Sequence, residues 1–167
     1  MRVAQAAGNY QYLSSSLILH PEKARRHFNL VYLTRHHKGI EVFKEAEKNA
    51  MSDMETARAK AAQRQRTSRG QRELFDAEEL HNNEYFDGLR KQYLEQMRLQ
   101  LLAELQSMGQ LNFDQAWANA LRSPLVWPTD FKDLLSKWAK EGVIRLDGLP
   151  PNSRVPKFGS GIRIALC

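Results

Sequence analysis

Between Phe86 and Leu105 the large apolar residues fall three or four positions apart: Phe86, Leu89, Tyr93, Met97, Leu101 and Leu105. A helix advances about 100° per residue, so these side chains share one face, which Leu94 and Leu102 widen. A stripe of this length cannot stay in water, and the residues that follow supply material to cover it. Gly109 is the expected stop, and Leu111-Asn112-Phe113 reads as a short extended piece. Asp114 to Arg122 is the next helix, with Phe113, Trp117 and Leu121 at steps of four and Pro124 beyond its end. Pro128-Thr129-Asp130 then signals a third helix, with Thr129 as the expected N-cap, Phe131, Leu134, Leu135 and Trp138 on its buried side and Gly142 closing it.

After that third helix come Val143-Ile144-Arg145-Leu146 and Ile162-Arg163-Ile164-Ala165-Leu166, separated by a turn-rich loop holding Pro150 and Pro151. Two short strands around such a loop predict a hairpin. Three helices followed by a hairpin is the order of a winged helix-turn-helix, expected over residues 85–167 with the loop as the wing. In that architecture the second helix of the pair is offered to a nucleic acid. The candidate contacts are Lys132, Lys137 and Lys140 on the helix, Arg154 and Lys157 on the wing, and Arg163 on the last strand. The 25 Lys and Arg against 19 Asp and Glu, a formal charge of +6, favour a polyanionic partner. No arginine lies on the solvent side of the helix to read a base edge in bidentate fashion, so the expected contact is to phosphate.

The front of the chain has a different texture. Residues 1–27 read as loop and helix, with Pro21 at a helix start. Phe28 to Thr34 is rich in aromatic and β-branched residues and predicts a strand, and Arg35-His36-His37-Lys38-Gly39 a polar turn. From Ile40 the apolar positions Ile40, Phe43, Ala46 and Ala50 follow helical spacing. Strand, glycine turn and helix make a βα unit, so residues 1–56 are expected to be an incomplete α/β segment and the whole chain α+β. Residues 57–84 are polar and read as a basic linker, in which Arg64, Arg66 and Arg69 are further candidates for phosphate contact.

Other chemistries find little support in the residues. The single cysteine, Cys167, excludes an intrachain disulfide or a paired-cysteine zinc site. The five histidines show no metal-ligand spacing, and Glu78, Glu79 and His81 read as a solvated approach to the long helix rather than an acid/base set. GxSxG, GxxxxGK[ST] and GxGxxG are all missing, so no catalytic residue, metal or cofactor is assigned and the chain by itself is not expected to be an enzyme. No apolar run approaches the ~20 residues of a membrane span, and a reducing, cytoplasmic setting is the expectation.

The run from Arg26 to Lys44, an aromatic and aliphatic strand followed by Thr34-Arg35-His36-His37-Lys38-Gly39 and an amphipathic helix, resembles the end of the first domain in the three-Cys-motif partner proteins. The tail from Lys132 to Leu166 is similar to the winged helix that follows there. The resemblance covers residues 26 to 50 and 85 to 166. It implies a Rossmann-like, methyltransferase-related fold for the first part, of which the nucleotide-binding glycines and acidic strand ends are missing here. It therefore implies a C-terminal fragment of a larger methyltransferase-like protein, or a truncated product, and carries over no catalytic residue. Taken together, the sequence predicts a DNA-binding winged-helix protein. The alternative is a protein-interaction module without nucleic-acid binding, in which a second copy or a partner protein covers the incomplete first part and its open strand edge.

Overall fold

The computed structural model describes residues 8–68, 83–150, 153 and 156–167. The chain is α+β, as its patterning predicts. Strands β1 (Tyr12–Leu19) and β2 (Arg26–Thr34) form an antiparallel hairpin in which Tyr12 pairs with Thr34 and Ile18 with Phe28. Helix α1 (His37–Ser68) follows, then α2 (Glu84–Met108), β3 (Gln110–Asn112), α3 (Phe113–Ala120), α4 (Pro128–Lys140), β4 (Ile144–Asp147) and β5 (Arg163–Leu166). The last strand is central in its antiparallel sheet, in the order β3-β5-β4.

Three expectations for the front half need correction. Residues 12–19, read as loop or helix, are a strand: Ser14 and Ser16, which break the apolar pattern, are both buried, and the Ser14 hydroxyl donates to the Leu121 carbonyl at 2.6 Å. A satisfied serine is compatible with a buried strand, and the hydrophobic pattern does not register it. The sheet that receives β2 is an antiparallel hairpin rather than part of a parallel α/β layer. Residues 57–68, read as the start of a linker, are the last turns of α1, with Arg58 and Ala59 buried.

Gly39 also has a different role from the expected one. It lies in the first turn of α1, and a Cβ there would come within 2.6 Å of Thr34 Oγ1. Its smallness lets β2 and α1 approach closely where the chain reverses.

The main core joins both halves. Met97, Leu101 and Leu105 of α2, Phe113 and Trp117 of α3, Phe131, Leu135 and Trp138 of α4, and Ile144 and Ile164 of the sheet pack together with Ile40 of α1, and Tyr12 and Tyr32 close its side. A second cluster places Leu17 and Leu19 of β1 against Met51, Leu89 and Leu125.

Between α3 and α4 the backbone is held by side chains from distant elements. Ser14 and Ser15 donate to the Leu121 and Arg122 carbonyls, Lys44 Nζ to Ser123 O at 2.6 Å, and Arg90 to Leu125 O at 2.7 Å. Glu47 Oε1 accepts the Leu125 N–H at 3.1 Å. Lys44 and Glu47 form an ion pair at 2.9 Å that is wholly removed from solvent. Burial pushes the Lys44 ammonium below its ordinary value, with the Glu47 carboxylate opposing the shift. The pair is tolerable because Ser15 O, at 3.0 Å, and Ser123 O accept the other ammonium hydrogens.

Candidate nucleic-acid interface

Helix α4 begins at Pro128, with Trp127 rather than Thr129 as its N-cap. Thr129 is displaced from that role because Asp130 supplies the cap: its Oδ2 accepts the Trp127 N–H at 2.8 Å, and its Oδ1 receives Arg90 at 2.6 Å. Arg90 also lies 3.5 Å over the Trp127 ring, which fixes the helix start against α2. With Phe131, Leu135 and Trp138 buried, Lys140 stands about 180° from Phe131, and Lys137 and Lys132 lie about 60° and 80° to its two sides. Lys137 and Lys140 are exposed and Lys132 is half-buried. The opposing charges are Asp133, on the same face, and Glu141, 3.9 Å from Lys137. Lysines in the last turn also complement the helix dipole, so they stabilise α4 whatever it touches.

The remaining candidates do not gather on this face. Arg163 pairs in register with Asp147 and Asn112, and these three point to the outer side of the sheet while Ile164, Ile144 and Leu111 point to the core that α4 covers. Arg163 therefore projects away from α4. It shares the outer face with Arg145, whose guanidinium is 3.2 Å from Asp147. Sequence reading overlooked Arg145, although its alternation with Ile144 and Leu146 marks it as outward.

Lys157 is exposed beside Phe158, which stacks on His37 at 4.0 Å and meets Trp117 and Tyr12 edge-on. The Gly159 N–H donates to Asp114 at 2.9 Å, so this end of the β4–β5 loop is tied to the start of α3. Arg154 and Arg69 lie outside the described residues. Arg64 is exposed and Arg66 half-buried near the end of α1, and a separation of two residues sends them to different sides.

No group of three metal-ligating side chains occurs among the described residues. His37 is occupied by Phe158, and His20 meets His27 edge-on at 5.5 Å. Burial and the nearby Arg25 hold the His20 imidazole below its ordinary value. Glu78, Glu79 and His81 lie outside the described residues. A recess of about 580 Å³ opens between α1 and α2, lined in part by Lys48, Ser52, Glu55, Phe86 and Trp127. No helix among the described residues is long and apolar enough to cross a membrane. Comparison with protein families, with curated proteins and with solved structures found no match.

Proposed function

We propose that residues 84–167 are a winged helix-turn-helix unit that binds duplex DNA through the phosphate backbone, with α4 as the docking helix. The observation that carries this reading is the order α2-β3-α3-α4-β4-loop-β5 together with the sheet order β3-β5-β4, in which α3 and α4 form the helix pair and the β4–β5 loop is the wing. Lys140 and Lys137, with Lys132 at the margin, supply the charge. Three lysines and no arginine on this face favour contact without base readout, and Arg163, on the far side of the sheet, takes no part. On the same reading the resemblance to three-Cys-motif partner proteins extends to a winged helix placed after a β2–α1 segment.

Fluorescence anisotropy with a short labelled duplex, titrated across salt concentrations, tests this. Three phosphate contacts predict a slope of log affinity against log salt near −3, by about −0.9 per contact. Lys140→Ala and Lys137→Ala each lower the slope magnitude by about 1, while Arg163→Ala leaves it unchanged. Salt-independent binding, no binding at low salt, or a response confined to Arg163 overturns the assignment.

A further inference from the structure

The outer edge of β2 has no strand partner among the described residues, since the hairpin sheet contains only β1 and β2. Nine residues in extended form offer an edge about 30 Å long with alternate N–H and C=O groups facing outward. Its middle is apolar and open: Phe28 is 58% exposed, Leu30 49% and Val31 39%, and Ile18, paired with Phe28, is 42% exposed. Leu30 and Ile18 also border a groove of about 550 Å³ between the hairpin and α1, completed by Phe43, Ala50 and Met54. Proteins blunt such edges with a central lysine, a proline or a bulge. Here the stretch from Phe28 to Val31 has no charge or proline, and the one irregularity of register falls at Ile18/Leu19, near the hairpin turn.

Charge is concentrated at the two ends of this edge. Exposed Lys23 and Arg25 stand at one end with Glu22, and exposed Arg35 and Lys38 at the other. Glu41 answers Lys38, at 2.7 Å. Arg35 lies over Tyr10 and donates to Gly8 O, and no carboxylate among the described residues is paired with it. A second copy pairing antiparallel about Leu30 would bring the Arg25 end of one β2 against the Arg35 end of the other, setting like charges together. A foreign strand with acidic ends and an alternating apolar middle meets complementary charge at both ends.

We propose that the β2 edge accepts an extended segment of another protein by strand addition, the segment having alternating apolar residues flanked on both sides by Asp or Glu. Main-chain bonds to β2 provide the attachment, Phe28 and Leu30 select apolar side chains on their face, and the basic ends fix the partner's sign of charge.

The test is fluorescence anisotropy of the full chain with a labelled peptide Asp-Glu-Val-Thr-Ile-Thr-Val-Thr-Ile-Glu-Asp. Binding in the micromolar range is expected. It should weaken at least about tenfold when the acidic ends are replaced by lysine, and be lost when alternate peptide amides are N-methylated. The double variant Phe28→Asp, Leu30→Asp changes only exposed positions and should weaken binding by a similar factor with unchanged far-UV ellipticity. Excess DNA duplex should not displace the peptide, which separates this site from α4. Equal binding of the lysine-ended or N-methylated peptide, no binding at millimolar concentration, or a dimer in light scattering that the double variant abolishes would overturn the proposal.

Discussion

Leu125 has a left-handed backbone, φ 57°, while its side chain is fully buried. A bulky residue held there costs on the order of 1–3 kcal/mol, and it persists only where its surroundings fix it on several sides. Glu47 takes its N–H, Arg90 holds its carbonyl, and Leu17, Leu19 and Leu89 close around its side chain. Glu47 is itself held by Lys44, so a strained turn between α3 and α4 is stabilised by charges reaching it from α1 and α2. At the other junction, Gly39 is chosen for space. Its backbone is ordinary helix, where alanine gains about 1 kcal/mol in propensity, but the added methyl would meet Thr34 at 2.6 Å. Gly39→Ala should therefore destabilise the chain despite the propensity gain, by about 1 kcal/mol or more. Thr34→Ala in the same chain should recover part of the loss, which a double-mutant cycle in urea unfolding reads directly. A stabilising Gly39→Ala would mean that β2 and α1 do not approach as described.

At the scale of elements, α1 sets the largest difference between expectation and structure. Ala62 lies in a stretch read as linker because large apolar residues stop at Met54 and arginines accumulate. Helix continues there because Ala, Arg, Lys and Gln are all strong helix formers, and Ala59 together with the stem of Arg58 provides the buried contact that a stripe of leucines would otherwise give. Replacing Ala62 by glycine should lower stability by about 1 kcal/mol if residues 57–68 are helical and leave the urea midpoint unchanged if they are a linker. The elements from α2 to β5 were legible because Phe86 to Leu105, Phe131 to Trp138 and the β4 and β5 strands follow their periods without interruption. The N-terminal hairpin was half legible: β2 has the aromatic and β-branched composition of a strand, whereas β1 hides behind three serines, two of which, Ser14 and Ser15, find their partners 107 residues away. The candidate site was legible as a set of cations but not as a surface. Spacing along a helix places Lys132, Lys137 and Lys140, and alternation between Ile162 and Ile164 turns Arg163 outward, but that this outer side lies away from α4 depends on which face of the sheet the helices cover.

For the molecule as a whole, the boundary drawn at residue 56 separates elements that share a core. Ile40 belongs to the same core cluster as Trp117 and Phe131, and Lys44 and Glu47 reach Ser123 and Leu125. The chain should therefore unfold as one unit, and its tryptophans allow this to be seen. Trp117, Trp127 and Trp138 all lie beyond residue 84, while the hairpin and α1 contain none. Lys44→Met fills a similar volume but leaves the Glu47 carboxylate buried beside Ser15 O and Ser123 O, which lose their donor. Removing one member of a buried pair costs about 3–5 kcal/mol. If the two halves are thermodynamically joined, that loss in α1 shifts the tryptophan fluorescence transition and the far-UV ellipticity transition in urea to the same lower midpoint. If the hairpin and α1 were an independent domain, ellipticity would show an early step while the fluorescence midpoint stayed with that of the parent chain. Coincident curves in Lys44→Met would make the α3–α4 turn the place where strand β1 and helix α1 stabilise α4, so that any ligand ordering the β2 edge also stabilises α4, and the two would be linked through folding.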